Sequence, residues 1–195
     1  MILKIAGGLY KGLRLETPAG KTTRPTSEIL RESVFNICQH KILDAAFLDL
    51  YAGSGAIVIE AISRGAKTTT FVENNRNALV ALKKNIAKAK LQEKTNVLPL
   101  DILIALKRLP PHAFDIVYID PPYGEKKDEL LAEHTLDKIF SILDTEELLK
   151  KGAWIFIEFS SYSKKNFKNL PLKKIEWHNT RVFGRSNLHL FKCND

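Results

Sequence analysis

From residue 46 onward, short apolar runs alternate with longer segments in which apolar residues recur every three or four positions. The short runs predict strands and the longer segments predict amphipathic helices. Alternation of this kind is typical of parallel βαβ units, so it predicts an α/β fold with a doubly wound, mostly parallel sheet of seven strands. The predicted strands are 47–50, 68–73, 96–100, 114–119, 153–159 and two more near 172–178 and 187–192. The predicted helices are 56–64, 76–90, 102–108 and 128–143, the last with Leu131, Ile139 and Leu143 facing inward.

The two ends of the chain follow different patterns. Residues 1–24 combine glycines and lysines with short alternating stretches, which predicts a β-hairpin or an extended arm. Pro25 ends this arm and opens a helix, with Ser27 as the N-cap and Glu28 in the first turn. Near the other end, residues 183–187 read as a turn, so the last two strands are expected to pair antiparallel at one edge. We therefore predict an arm over 1–24 and one domain over 25–195.

The charge of the 195-residue chain is uneven. Its net charge is +8, and residues 1–26 hold five basic residues against one acidic residue. Residues 160–195 hold eight basic residues against two acidic ones, so the middle of the chain is slightly acidic. Two basic ends favour a polyanionic partner such as RNA, although a high net charge also promotes solubility. On this basis we expect Lys11, Arg14, Lys21, Arg24 and Arg185 to contact phosphates.

The composition of the chain indicates its broad class and its cellular compartment. The apolar content of 45% is typical of a globular protein. No apolar run is long enough for a membrane span or a signal peptide. The two cysteines, Cys38 and Cys193, form no disulfide framework, and the five histidines show no metal-ligand spacing. We expect a cytoplasmic protein with no metal and no membrane partner.

A glycine-rich turn joins the first predicted sheet strand to its helix. Gly53 and Gly55 can adopt backbone angles barred to other residues and let a ligand approach the main chain. Glu73 ends the next strand, where a carboxylate can accept hydrogen bonds from both hydroxyls of a ribose. NAD and S-adenosylmethionine both fit this pattern, but Val58 stands where the dinucleotide motif has its third glycine. Asp101, after the third strand, either accepts from an adenine amino group or caps the following helix.

The sequence Asp120-Pro121-Pro122-Tyr123 follows the predicted strand 114–119. Open α/β sheets bind ligands at the carboxyl ends of their strands. An exocyclic amine of a base is a poor nucleophile, and the Asp120 carboxylate and Pro121 carbonyl can accept both of its N–H bonds. The two prolines lack competing donors, and Tyr123 offers a face for a flipped base. Methylation at C5 of a base is disfavoured, because it normally needs a thiolate and neither cysteine is near.

The sequence resembles the RsmD-type 16S rRNA guanine-N2 methyltransferases over nearly its whole length. The most family-specific part is Gly7-Gly8-Leu9-Tyr10-Lys11-Gly12 followed by residues 23–26. Further resemblance lies in residues 31–36, 48–56, 60–66 and 120–123. This resemblance implies a Rossmann-like class I methyltransferase that modifies the guanine at position 966 in an assembled or assembling small ribosomal subunit. Val58 departs from the usual glycine of the family, and Asn74-Asn75 replaces a more usual acidic position.

Together these patterns define the expected site. S-adenosylmethionine is the expected cofactor, with Asp49 accepting from its ammonium group, Glu73 holding the ribose and Asp101 the adenine. The full expected set of cofactor contacts is Asp49, Ala52, Gly53, Ser54, Gly55, Glu73, Asn74, Asp101 and Ile102. The expected catalytic set is Asp120, Pro121, Pro122 and Tyr123.

Three alternatives stay open at the level of sequence. One is another amino-group methyltransferase, acting on N6 of DNA adenine or on N5 of a protein glutamine. Another is an NAD-dependent oxidoreductase, although no set of residues for hydride chemistry is evident. The third is a non-catalytic RNA-binding module. Transfer of a labelled methyl group, or cofactor binding, distinguishes them.

Overall fold

The computed structural model describes residues 3–18, 27–122 and 126–194, without the side chains of 126–129. Lys21, Arg24, Pro25 and Tyr123 lie outside the described residues, as does the predicted arm boundary at residue 24. The described chain divides into two compact units, Met1–Ile102 and Leu103–Asp195.

The first unit carries three parallel strands. Strand β1 (Ala46–Leu50) pairs in parallel with β2 (Thr68–Val72) along its whole length, and β2 pairs in parallel with β3 (Thr95–Leu98). The carboxyl ends of the three strands therefore lie along one edge of this part of the sheet. We call the loops that follow them, 51–55, 73–75 and 99–101, the carboxyl edge of the first unit. Its elements are α1 (Glu28–Ile37), β1 (Ala46–Leu50), α2 (Ala56–Ser63), β2 (Thr68–Val72), α3 (Arg76–Ala89), a 3-10 turn (Gln92–Lys94) and β3 (Thr95–Leu98).

Local sequence explains these elements. The Ser27 hydroxyl accepts a hydrogen bond from the Leu30 amide at 3.1 Å, which confirms Ser27 as the N-cap of α1. All eight residues of α2 are buried, as its nearly continuous apolar sequence predicts. On α3, the apolar spacing predicts one face of Leu79, Leu82, Ile86 and Ala89; the last three are buried and Leu79 is half-buried.

The arm forms a short hairpin that docks on α2. The Ile5 amide donates to the Leu13 carbonyl at 3.0 Å, and Lys4 and Arg14 form an antiparallel bridge. At its tip, the Leu9 amide donates to the Ser63 carbonyl at 2.7 Å. Gly8 has a φ of 77°, and a Cβ atom there would collide with the Ser63 carbonyl oxygen. Glycine is therefore required at the point where the arm meets the helix.

The second unit contains four strands. Helix α4 (Ile102–Leu106) begins at the boundary, and it is followed by β4 (Phe114–Ile119), α5 (Lys126–Thr145), β5 (Leu149–Ser160), a 3-10 turn (Phe167–Asn169), β6 (Ile175–Phe183) and β7 (Ser186–Cys193). Strand β4 pairs with β5 in parallel, whereas β7 pairs antiparallel with both β5 and β6. The expected antiparallel hairpin at one edge is confirmed.

The seven strands have the order β3-β2-β1-β4-β5-β7-β6. This confirms the predicted α/β class with a mostly parallel sheet. The inward orientation predicted for Leu131 is wrong, because its side chain is 67% exposed. The buried face of α5 is formed by Ala132, Leu136, Ile139, Phe140 and Leu143. At 3.6 residues per turn, Leu131 lies about 80° around the helix from Ile139, outside this stripe.

Candidate functional site

The glycine turn follows β1 and opens α2. Gly53 and Gly55 have positive φ angles of 53° and 79°, so both adopt the left-handed conformation that the sequence predicts for a tight turn. A Cβ atom on Gly55 would collide with the side chain of Leu82 on α3. Gly55 thus serves both the turn and the close packing of α3 beneath it.

Glu73 braces this turn from the end of the neighbouring strand. Its Oε2 atom accepts a hydrogen bond from the Gly53 amide at 2.9 Å, and its Oε1 atom accepts one from the Asn75 amide at 2.8 Å. Each carboxylate oxygen has a second lone pair, so Glu73 can still accept from a ligand hydroxyl. Glu73 therefore supports the fold of the glycine turn, a role that was not predicted from the sequence.

Asn74 and Asn75 stand where an acidic residue is more usual, and the structure gives Asn75 a structural role. The Asn75 side chain accepts from the amides of Asn77 and Ala78 at 2.9 and 3.1 Å and so caps α3. Asn74 is exposed beside it on the carboxyl edge.

Asp49 is a buried carboxylate at the end of β1. Its side chain is 1% exposed, and its Oδ1 atom has no hydrogen-bond partner among the described residues. Burial raises the pKa of Asp49 well above its ordinary value, and the charge of Glu73 raises it further. An unsatisfied buried oxygen is costly, and a cationic donor placed beside it could satisfy both the oxygen and its charge.

Tyr51 joins the acidic groups of the carboxyl edge. Burial raises the pKa of its hydroxyl, and the charges of Asp101 and Glu73 raise it further. The Tyr51 hydroxyl therefore stays protonated at neutral pH. Asp101 is exposed, and Ile102 beside it is buried. Tyr51 was not predicted from the sequence, although its place inside the glycine turn was an available signal.

The first unit thus brings the predicted cofactor residues to one edge. They follow the ends of three neighbouring parallel strands, where an α/β sheet binds ligands. The set is Asp49, Ala52, Gly53, Ser54, Gly55, Glu73, Asn74, Asp101 and Ile102. Among the residues that the structure describes, no group of three or more His, Cys, Asp or Glu side chains is placed to hold a metal ion.

In the second unit, Asp120 directly follows β4. Asp120 is half-buried, Pro121 is buried and Pro122 is exposed. The register of Ile119 opposite Ile157 places Glu158 on β5 next to the position of Asp120. Glu158 is buried and accepts a hydrogen bond from the Tyr118 hydroxyl at 2.9 Å. A carboxylate inside the otherwise apolar run 153–159 was the signal for Glu158, which was not predicted from the sequence.

The predicted phosphate contacts that the structure describes are all at the surface. Lys11 and Arg14 are exposed on the arm of the first unit. Within the second unit, Arg185 is exposed at the tip of the β6–β7 hairpin, and its carbonyl accepts from the Ser161 amide at 3.0 Å. This contact holds Arg185 at the end of β5, the same end at which Asp120 follows β4.

A buried ionic cluster, formed by Glu60, Arg31 and Arg64, anchors the arm and was also missed. The Glu60 carboxylate is 0% exposed, and its Oε2 atom accepts from Arg31 Nε at 2.7 Å and from the Ala6 amide at 3.2 Å. Its Oε1 atom accepts from Arg64 Nε and Nη2 at 3.0 and 2.8 Å. Arg31 also donates to the Lys4 carbonyl at 2.6 Å. One carboxylate therefore ties the arm to α1 and α2.

The strand order, the glycine turn and the acidic carboxyl edge define the class of the fold, which is that of the Rossmann-like methyltransferases. The solved structure of the putative methyltransferase yhhF from Escherichia coli superposes with a TM-score of 0.83 at 26% identity, over 100% of this chain and 99% of that one. An RNA methyltransferase from Salinibacter ruber, solved with S-adenosyl-L-homocysteine, shares the fold at 12% identity with a TM-score of 0.59, over 88% of this chain and 95% of that one.

Sequence comparison identifies the family within this class. The family model described as Conserved hypothetical protein 95 matches residues 3–192, and the chain belongs to this family. Ribosomal RNA small subunit methyltransferase D of Escherichia coli strain K12 is 31% identical over 193 residues, which cover 97% of this chain and 89% of that protein. The putative rRNA methyltransferase YlbH of Bacillus subtilis is 31% identical over 80% of this chain and 82% of its own length. Within the described residues, no helix is long and apolar enough to cross a membrane.

Proposed function

We propose that this protein transfers a methyl group from S-adenosylmethionine to the exocyclic N2 amine of a guanine in small-subunit rRNA, the guanine at position 966. The observation that carries the chemistry is the Asp120-Pro121-Pro122 segment directly after β4, which presents acceptors for an amine. The names of the similar proteins support rRNA as the substrate class. We place the reaction in the cytoplasm, on an assembled or assembling small subunit.

The residues of the first unit fit this cofactor. The Asp49 oxygen that has no partner among the described residues suits its ammonium group, and the left-handed glycines at Gly53 and Gly55 let its amino-acid end approach the main chain around Ser54. Ala52 belongs to the same turn. When bound, the cofactor supplies an electrophilic methyl carbon on a sulfonium. The remaining lone pairs of Glu73 are available to ribose hydroxyls, and Asn74, Asp101 and Ile102 flank the adenine.

The residues of the second unit hold the amine. The Asp120 carboxylate accepts one N–H bond of the guanine amine, and the Pro121 carbonyl accepts the other. This pair orients the nitrogen and stabilises the positive charge that develops as it attacks. Pro122 has no N–H to compete for the acceptors. Tyr123 is assigned the stacking face for the flipped base.

Replacing Asp49 with asparagine should have opposite effects on cofactor affinity and on stability. The variant loses a charged hydrogen bond worth about 1.5–3 kcal/mol, so S-adenosylhomocysteine should bind about 10–100-fold more weakly in calorimetry. Because the fold raises the pKa of Asp49, the contribution of this group to stability is full below pH 3.8 and is lost as the pH rises through the raised pKa. In urea unfolding without cofactor, D49N should therefore be more stable than the parent at neutral pH. Parental affinity of D49N would remove Asp49 from the cofactor site.

An acceptor panel tests the proposed function itself. Purified protein is incubated with tritiated S-adenosylmethionine and, separately, with small-subunit rRNA, duplex DNA or a release factor. We expect label in rRNA alone. Label in DNA adenine or in protein glutamine would identify one of the alternative amino-group methyltransferases. RNA binding without transfer would indicate a non-catalytic module.

Salt dependence supports the same test. If Lys11, Arg14 and Arg185 neutralise phosphates, alanine substitution of each should lower the slope of log affinity against log salt by about 0.7–0.9. The predicted contacts of Lys21 and Arg24, which lie outside the described residues, are tested in the same way. RNA binding that does not respond to ionic strength would contradict these assignments.

A further inference from the structure

Asn85 is a fully buried amide on α3 that connects two parts of the first unit. Its Oδ1 atom accepts from the Glu16 amide at 2.8 Å, and its Nδ2 atom donates to the Glu16 carbonyl at 2.9 Å. Nδ2 also donates to the Ser54 carbonyl at 2.9 Å. One fully buried side chain thus joins the arm to the glycine turn.

The bond from Asn85 to the Ser54 carbonyl helps to fix the peptide between Ser54 and Gly55, whose orientation the glycine alone does not determine. The peptide plane between Ser54 and Gly55 is rigid, so fixing the Ser54 carbonyl also fixes the direction of the Gly55 amide. Gly55 tolerates both signs of φ, and its own conformation therefore does not select one orientation of this plane. Two hydrogen bonds supply that selection, one from the Gly55 amide to the Ala52 carbonyl at 2.7 Å and one from Asn85 to the Ser54 carbonyl, and Asn85 is the one that also contacts the arm.

The Glu16 contacts fix the arm beside the same helix. Lys88 Nζ donates to the Arg14 carbonyl at 2.7 Å, and Lys84 forms an exposed ion pair with the Glu16 carboxylate at 3.2 Å. The arm therefore runs beside α3, and the hydrogen bonds of Asn85 are the buried part of this contact. A shift of the arm or of the glycine turn would disturb hydrogen bonds of the same Asn85 side chain.

We propose that Asn85 is a positioning residue that couples the arm to the cofactor turn, so that a ligand on the turn stiffens the arm and RNA on the arm strengthens cofactor binding. This inference rests on the proposed function, since it assigns the turn to the cofactor and the arm to RNA. Coupling between two binding sites is reciprocal, and one measurement from either side therefore tests it.

The first test needs no substitution. Amide exchange of the peptide covering residues 13–18 is measured in the parent chain with and without saturating S-adenosylhomocysteine. We expect the ligand to slow exchange of the Glu16 amide about threefold or more, because it fixes the turn that shares Asn85. Exchange that does not change when the ligand binds would overturn the inference.

The second test uses variants of Asn85. Asn85→Ala removes all three bonds, and the isosteric Asn85→Asp keeps the acceptor for the Glu16 amide but loses both donated bonds. The exchange measurement on the parent chain still tests the inference if either variant fails to fold. Both should weaken S-adenosylhomocysteine about 10-fold, and both should abolish the effect of the ligand on residues 13–18. At saturating RNA, the KM for the cofactor should rise with little change in kcat.

The matched control is Lys84→Ala, which breaks only the exposed ion pair of the same Glu16 and should behave as the parent. Parental affinity and parental ligand-dependent exchange in both Asn85 variants would overturn the inference alone. Failure of the parent to bind S-adenosylhomocysteine would overturn the cofactor assignment, and this inference with it.

Discussion

Asp120→Ala should slow methyl transfer to rRNA by at least about 10–100-fold while leaving the affinity for S-adenosylhomocysteine unchanged. The variant loses a charged acceptor for the amine, worth about 1.5–3 kcal/mol, at the moment when charge develops on the nitrogen. The cofactor residues lie at the ends of β1, β2 and β3 and do not include this side chain. Single-turnover rates with saturating cofactor and RNA measure the effect directly.

Asp115→Ala is the matched control for this prediction. Asp115 lies at the opposite end of the same strand and pairs with Lys150 at 2.6 Å. It should transfer methyl groups at the parental rate. If Asp120→Ala also keeps the parental rate, Asp120 does not hold the amine, and the assignment of the loop after β4 is wrong.

Glu60→Gln should destabilise the protein by about 3–5 kcal/mol. Among the described residues, this change removes the only carboxylate that pairs with Arg31. The Arg31 side chain is 1% exposed, so its charge is left buried without compensation. The change also weakens the bond to the Ala6 amide, so the arm should be released first. Urea unfolding gives the free energy, and amide exchange of residues 3–15 reports on the arm.

Glu16→Gln provides a comparison with the same chemistry at the surface. Glu16 pairs with Lys84 where both side chains are more than half exposed, and such pairs contribute at most about 1 kcal/mol. Equal losses of stability in the two variants would show that Glu60 acts as an ordinary surface carboxylate. A large loss confined to Glu60→Gln is the result we expect.

The strands were predictable where burial is marked by apolar residues in the sequence. Strand β4 has the predicted bounds Phe114–Ile119, because both of its faces are largely buried and its sequence is apolar apart from Asp115. Strand β6 extends to Phe183, beyond the predicted end near residue 178. It is an edge strand with exposed polar positions such as His178 and Arg181, so hydrophobicity does not mark its course.

The positions of the candidate site residues were predictable where a polar residue lies at or just after the end of a strand. Asp49, Glu73 and Asp101 could be placed because parallel strands bring their carboxyl ends together. The supporting bonds could not be predicted in the same way. Arg31 and Glu60 are 29 residues apart, and Asn85 meets Glu16 over 69 residues; nothing in local sequence pairs them.

The central claim is methylation of a guanine amine in small-subunit rRNA. The most direct measurement is mass spectrometry of nuclease fragments of that rRNA from cells with and without this protein. We expect N2-methylguanosine at position 966 to disappear without the protein and to return with the parent chain but not with Asp120→Ala. Full methylation of that guanine in cells lacking the protein would contradict the account.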